Sequence, residues 1–158
     1  MRERLDTRID YAMVAPDALR AMMQLERHVR EGSIEKPLLH LIKLRASQVN
    51  GCAFCIDLHS REARADGESE QRLALLAVWR EAPLFTDRER AALAWTEAVT
   101  RISEQGVSDE LFSIARREFS EVELVELTLA VIAINGWNRL AIPFRTPIDV
   151  EAPAAAAS

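Results

Sequence analysis

The sequence predicts an all-α protein, a single domain of about seven helices over residues 1–150. Alanine and leucine dominate its 158 residues, whereas only five glycines and six prolines interrupt the chain. Between those interruptions apolar residues recur at helical spacing, and helix-capping residues stand before several of the apolar runs. A chain of this length can bury a hydrophobic core unaided. The Ala-rich tail, residues 151–158, has nothing to pack against, and we expect it to be disordered.

Four helices are predicted in the first half of the chain. A proline lies in the first turn of each of the first two helices, and a glycine follows each of them. The third helix begins at Cys52, and the fourth follows Ser69, which can cap it. The predicted bounds are about 16–31, 35–49, 52–65 and 70–80.

Capping boxes predict two of the three remaining helices. Thr86 and Ser120 each stand three residues before a glutamate, so that each pair can satisfy its backbone N–H groups reciprocally. Ser108 can cap a shorter helix between them. The stretch Leu124–Ile134 is apolar on nearly every face and also fits a buried strand, but the capping box and the length favour a helix. The predicted bounds are 86 to just before Gly106, 108–119 and 120–140.

Charge and hydropathy exclude several classes of function. The 25 acidic and 20 basic side chains give a net charge of −5, which disfavours a nucleic-acid partner. The apolar run Leu124–Ile134 is about half the length needed to span a bilayer, and Met1–Asp10 lacks the apolar core of a signal peptide. We therefore expect a cytoplasmic protein with no membrane partner. In that compartment a CxxC pair indicates redox or metal chemistry rather than a structural disulfide.

The two cysteines share one helix face with a histidine. Because a helix turns about 100° per residue, Cys55 lies about 60° and His59 about 20° from Cys52. Cysteines three residues apart on a helix have Cα atoms roughly 5–6 Å apart, a separation that a disulfide accepts. The helix N-terminus favours a thiolate on Cys52, and His59 can exchange a proton with Cys55. A thiol peroxidase or a disulfide reductase needs these groups.

Two other interpretations of these residues stay open. The cysteines can be an inert pair of small core residues. Alternatively, Cys52, Cys55, His59 and His40 can supply the four ligands of a Cys₂His₂ zinc site. A chain this apolar needs no structural metal, and the spacing between His40 and Cys52 matches no familiar zinc finger. The redox interpretation is therefore favoured.

The segment Leu38–His59, LLHLIKLRASQVNGCAFCIDLH, resembles the core motif of the AhpD-like alkylhydroperoxidases of the carboxymuconolactone decarboxylase superfamily. Residues 85–97 and 134–139 are also similar to that family, and the likeness covers nearly all of residues 11–147. The resemblance implies an AhpD-like helical fold, a homotrimer or hexamer, and reduction of a hydroperoxide substrate. Electrons would come from a lipoyl or thioredoxin-like protein, with no metal, flavin or haem. The decarboxylase branch lacks the CxxC pair, so lactone decarboxylation is not expected.

The resemblance also implies roles for individual residues. It places the peroxidatic role on Cys55, the resolving role on Cys52 and the proton relay on His59. The family has a glutamate twelve residues before the first cysteine, where this chain has His40. His40 is either the relay group of a subfamily, a sign of weak or retuned activity, or a helix histidine at a subunit contact. Glu62 can supply the missing charge to His59, but a solvated acid is the favoured interpretation there.

Three residues of the last helix, Asn135, Trp137 and Arg139, are candidates for pocket walls or packing. Because Trp137 lies on a helix predicted to be buried, we expect it to pack in the core or at an interface. None of the three is expected to be catalytic.

The sequence thus predicts a thiol-dependent hydroperoxide reductase. A Cys55 thiolate attacks the peroxide bond and becomes a sulfenate, Cys52 displaces water to form the disulfide, and an external dithiol reduces it. Two alternatives use the same cysteine pair. One is a disulfide reductase without peroxide chemistry, and the other is a redox or stress sensor in which oxidation changes assembly.

Overall fold

The computed structural model describes residues 6–150, and the predicted disordered tail lies outside the described residues. Over that range the chain is an assembly of helices and turns without a β-strand, so the all-α prediction is confirmed. The helices are α1 (Tyr11–Val14), α2 (Pro16–Glu31), α3 (Lys36–Asn50), α4 (Ala53–Ala65), α5 (Glu70–Leu75), α6 (Asp87–Thr100), α7 (Ile102–Gln105), α8 (Asp109–Glu118) and α9 (Glu121–Phe144).

Several helix boundaries differ from the prediction. The short helices α1 and α7 add to the predicted seven, and α5 is shorter than predicted because a 3₁₀ turn over Leu76–Val78 replaces its end. α9 continues past the predicted end at residue 140, with Pro143 in its last turn. The backbone N–H of Arg8 donates to the carbonyl of Phe144 (3.0 Å), and the Arg8 guanidinium donates to that of Pro143 (3.2 Å). The N-terminal segment thereby satisfies carbonyls that the helix end leaves open.

The core is built around α3 and α9. α3 packs against α4, α6 and α9, and α9 also packs against α2. One apolar cluster fills the space between α2, α3, α6, α8 and α9, and a second lies between α3, α4, α5 and α6. A third, small cluster surrounds the two cysteines where α4 meets α9. The two central helices therefore both reach the cysteine pair.

α9 is apolar on its buried inner face and also on part of its exposed outer face. By length and composition alone this helix could cross a membrane, so the apolar segment is longer than the sequence indicated. Its inner face is fully buried against the other helices, as in the core helix of a soluble bundle. Its outer face exposes the valine and isoleucine side chains of Val122, Val125 and Ile132.

Candidate active site

A tight corner between α3 and α4 positions the cysteine pair. Gly51 ends α3 in the left-handed conformation (φ 70°), which glycine adopts without strain. The backbone N–H of Cys52 donates to the carbonyl of Ser47 at 3.0 Å. Cys52 is the N-cap of α4, and its Sγ accepts from the backbone N–H of Cys55 at 3.4 Å. The helix therefore begins one residue later than predicted, with Cys52 as its cap.

Cys52 and Cys55 are joined in a disulfide, and their Cα atoms lie 5.3 Å apart, as their spacing predicts. The two residues are only 1% and 3% exposed. They are buried against Ala141 of α9, and Phe54 packs beside them. Reduction of this disulfide takes up two electrons and two protons and gives two neighbouring thiols, which can form the same bond again.

A cavity of about 340 Å³ opens beside the disulfide. Cys55 and His59 line this cavity, whereas Cys52 does not. Its polar lining also includes Glu26 and Arg30. The rest of the wall is mostly aromatic and aliphatic, contributed by Tyr11, Leu19, Met23, Phe54, Leu58 and Trp137. An apolar molecule with one polar reactive group fits such a wall.

His59 is buried and paired with Glu62. Its Nδ1 lies 3.0 Å from Oε2 of Glu62. The hydrogen bond with His59 lowers the pKa of Glu62, burial opposes this effect, and the nearby charge of Arg30 assists it. Glu62 is therefore anionic at neutral pH and holds negative charge against the ring of His59. Glu62, whose side chain is 34% exposed, is thus a partly solvated acid that also pairs with His59.

This pairing has a consequence for the other ring nitrogen of His59. When Nδ1 carries the hydrogen shared with Glu62, Nε2 has a free lone pair. Because His59 and Cys55 line the same cavity, that nitrogen is available to accept a proton from a thiol or to return one to a leaving group.

A second carboxylate, Glu26 of α2, lies in the wall of the cavity and was not among the predicted site residues. Its carboxylate accepts hydrogen bonds from the Nζ of Lys43, from Nε of Arg30 (3.1 Å) and from Nε1 of Trp137 (3.3 Å). Glu26 is 7% and Lys43 4% exposed. Burial, the largest influence, raises the pKa of Glu26, but Lys43 and Arg30 together outweigh it and hold that pKa below its usual range.

A sequence signal for Glu26 does exist. The apolar stripe of α2 runs through Leu19, Met22, Met23 and Val29, and Glu26 lies in the middle of that stripe. A charged residue on an otherwise apolar helix face is expected to be paired when it is buried. The partners Lys43 and Trp137 come from two other helices, so the pairing itself could not be predicted from spacing.

His40 lies apart from the other predicted site residues. Its Nε2 is 2.6 Å from Oδ2 of Asp66, which also contacts Nζ of Lys36 at 2.7 Å. It lines a neighbouring cavity of about 470 Å³, shared with Arg30, Lys43 and Glu62, and does not line the cavity of Cys55. The structure thus brings Cys52, Cys55 and His59 together and places His40 in the wall of the second cavity, which Glu62 also lines.

The alternative zinc site is not formed by its four candidate ligands. The sulfurs of Cys52 and Cys55 are bonded to each other, and His40 contacts Asp66. Across residues 6–150, no group of three or more histidine, cysteine, aspartate or glutamate side chains has the arrangement of a metal site.

The chain is similar to known proteins in sequence and in fold. Residues 16–98 match the carboxymuconolactone decarboxylase family. The uncharacterized protein YdfG of Bacillus subtilis (strain 168) is 41% identical over 138 residues, which are 87% of this chain and 94% of YdfG. A protein of unknown function from Agrobacterium tumefaciens, suggested to be an antioxidant defence protein AhpD, is 51% identical, with a TM-score of 0.90. That match covers 92% of this chain and all of the other.

The debrominase Bmp8 shares the fold at a greater distance. It is 22% identical, with a TM-score of 0.77 over 85% of this chain and 72% of the debrominase. The same helical scaffold therefore serves different reactions. The matched residues and the close relatives show that the chain belongs to the carboxymuconolactone decarboxylase family and has an AhpD-like fold.

Proposed function

We propose that the protein is a thiol-dependent hydroperoxide reductase in which Cys55 is the peroxidatic cysteine, Cys52 the resolving cysteine and His59 the proton relay. One observation carries the proposal: Cys55 rather than Cys52 faces a cavity, beside a buried histidine that is paired with the Glu62 carboxylate. The arrangement combines a cysteine that lines a cavity, a second sulfur bonded to it and a group that can transfer protons.

The reaction balances with these groups alone and one external dithiol. In the reduced enzyme the Cys55 thiolate attacks the terminal oxygen of a hydroperoxide, an S–O bond forms, and the O–O bond breaks. The alkoxide leaves with a proton from His59 as an alcohol. The Cys52 thiol then attacks the Cys55 sulfenic acid, the S–S bond forms, and water leaves. A dithiol donor returns two electrons and two protons and restores both thiols.

The charges around the cavity support a thiolate on Cys55. With a thiolate on Cys55 and a protonated His59, the cluster of charged groups beside the cavity holds three positive and three negative groups. Nearby positive charge lowers a thiol pKa, and balanced charge limits the cost of burial. Besides the cysteine and the histidine, the members of this cluster are Arg30, Lys43, Glu26 and Glu62.

For His40 we propose an outer relay role. It shares the second cavity with Glu62, and through that cavity solvent protons can reach the Glu62–His59 pair. Replacing His40 by glutamine is then expected to lower turnover most at alkaline pH, where solvent protons are scarce. An unchanged pH profile of turnover would contradict this role.

We also propose that the protein acts in the cytoplasm as a homotrimer or hexamer and takes electrons from a lipoyl or thioredoxin-like protein. AhpD-like proteins generally form oligomers and work with thiol donors. The outer face of α9, with Val122, Val125 and Ile132, supports assembly, because exposed apolar surface of this kind is typical of an interface between subunits.

A peroxide-consumption assay tests the proposed function. The reduced protein is mixed with tert-butyl hydroperoxide and dihydrolipoamide, and the loss of peroxide is followed. We expect Cys55→Ser to abolish consumption, while Asp57→Asn, on the same helix and paired with Arg61 at the surface, keeps the wild-type rate. Wild-type consumption by Cys55→Ser would overturn the proposal. Reduction of disulfides without peroxide loss would instead favour a disulfide reductase.

A further inference from the structure

Asn135 and Asn138 of α9 form a hydrogen-bond network with the end of α3. Asn138 is 0% exposed. Its Oδ1 accepts from Nδ2 of Asn50 at 2.8 Å, and its Nδ2 donates to Oγ of Ser47 at 3.1 Å. Asn50 also donates to Oδ1 of Asn135 at 2.9 Å. All of these bonds join residues far apart in the chain, so packing of α9 on α3 creates them.

One residue of the network, Ser47, also holds the backbone of the corner at which Cys52 lies. The Ser47 carbonyl accepts the N–H of Cys52 at 3.0 Å, while its hydroxyl, bound by Asn138, donates to the carbonyl of Lys43 at 2.7 Å. Asn50 is the last residue of α3 and stands two residues before Cys52. Asn138 therefore holds two residues in the last turn of α3, directly before the point from which Cys52 extends.

We propose that Asn138 is a positioning residue for the cysteine pair, acting through Ser47 and Asn50, and that it sets the equilibrium between dithiol and disulfide. The inference deepens the proposed function and rests on it, since a role for this equilibrium requires that the pair cycles. Asn138 touches neither sulfur and is not a catalytic residue.

The physical reason lies in the difference between the two redox states. In the oxidised state the S–S bond itself keeps Cys52 beside Cys55. In the reduced state noncovalent contacts alone hold the two thiols together, and their effective concentration depends on how firmly the corner is held. Loss of the network therefore increases the mobility of the two thiols more than that of the disulfide. Their effective concentration falls, and the equilibrium moves toward the dithiol.

The equilibrium can be measured without peroxide. Dithiothreitol reduces the Cys52–Cys55 bond: two electrons pass to the cysteine sulfurs, two protons complete the thiols, and dithiothreitol closes to its cyclic disulfide. Titration of the full chain with defined ratios of reduced and oxidised dithiothreitol, with the thiols trapped and counted by mass, gives the equilibrium constant.

We expect Asn138→Ala to shift this constant about tenfold toward the dithiol, equal to about 30 mV for a two-electron couple. Asn50→Ala and Ser47→Ala each remove one of the two bonds that Asn138 makes to α3, and Asn50→Ala also removes the bond to Asn135. Each should shift the constant in the same direction by a smaller factor. The matched control is Thr128→Val, which breaks the 3.0 Å bond between α9 and Trp95 away from the cysteines. This control should keep the wild-type constant.

Two outcomes overturn the inference. One is a wild-type equilibrium constant in the folded variants of the network, and the other is an equal shift in Thr128→Val. If Asn138→Ala fails to fold, the two milder variants decide. The titration contains no peroxide, so its result does not depend on whether the protein reduces peroxide. A protein without peroxidase activity could still show the shift, and an unshifted constant would not contradict peroxide reduction.

Discussion

The buried pair of Glu26 and Lys43 yields a quantitative prediction about stability. Replacing Glu26 by glutamine keeps the side-chain size and one oxygen that can accept from Trp137, but it removes the negative charge. Lys43, 4% exposed, is then left as a buried cation without its counter-ion. Breaking a buried pair in this way costs about 3–5 kcal/mol. The remaining amide oxygen places the expected loss near the lower limit, about 3 kcal/mol.

The assay is thermal and urea-induced unfolding of the oxidised protein at pH 7. For a chain of this size, about 3 kcal/mol corresponds to a fall in Tm of about 6–12 °C. The double variant Glu26→Gln with Lys43→Met should regain at least half of the lost free energy of unfolding, because no unpaired charge stays buried. As a control, Asp17→Asn disrupts the exposed Arg20–Asp17 pair and should change stability by less than about 0.5 kcal/mol.

Two results would contradict a stabilising interaction between Glu26 and Lys43. One is a Glu26→Gln variant whose free energy of unfolding stays within about 1 kcal/mol of the wild-type value, which would mean that the pair contributes little beyond its burial cost. The other is a double variant whose loss equals the sum of the two single losses, because additivity would show that Glu26 and Lys43 do not interact.

Further predictions concern the relay and the outer face of α9. Glu62→Gln should slow peroxide reduction about tenfold in stopped-flow assays, because the relay histidine loses its anionic partner; an unchanged rate would exclude that role. Since the pKa of Glu62 is lowered from 4.5 in the folded protein, its contribution to stability is complete above that value and is lost as the pH falls through the folded pKa. The stabilities of wild type and Glu62→Gln should therefore converge in unfolding experiments as the pH falls below 4.5, and a constant gap would contradict the lowered pKa. Val125→Glu, at a residue 61% exposed on α9, should dissociate the oligomer in light scattering, whereas Val14→Glu, 69% exposed on α1, should not; intact assembly of Val125→Glu would place the interface elsewhere.

Local signals were sufficient to predict most of the helices. The capping boxes at Thr86 and Ser120 form as expected, because their partners lie three residues away on the same helix. α1 buries no side chain and so has no apolar stripe, although Asp10 caps its first turn. Tyr11 instead contacts Phe144 and Thr146 at the other end of the chain, which spacing along the sequence does not reveal.

Contacts within one helix could also be predicted for the site, whereas contacts between helices could not. Cys52, Cys55 and His59 lie within eight residues, so helical geometry alone brought them together. Glu62 was within reach on the same helix, but its burial beside His59 depends on the packing of other helices. The bonds from Glu26 to Lys43 and from Asn138 to Asn50 join separate helices, and only tertiary packing creates them.

In the proposed reaction Cys55 attacks the peroxide and Cys52 resolves the product. The most direct measurement is mass spectrometry of the reduced Cys52→Ser variant after one equivalent of tert-butyl hydroperoxide, with dimedone present to trap sulfenic acid. We expect a dimedone adduct on Cys55, and the Cys52–Cys55 disulfide cannot form because the second sulfur is missing. An unmodified Cys55, with the adduct appearing instead on Cys52 in the Cys55→Ser variant, would contradict the proposed reaction.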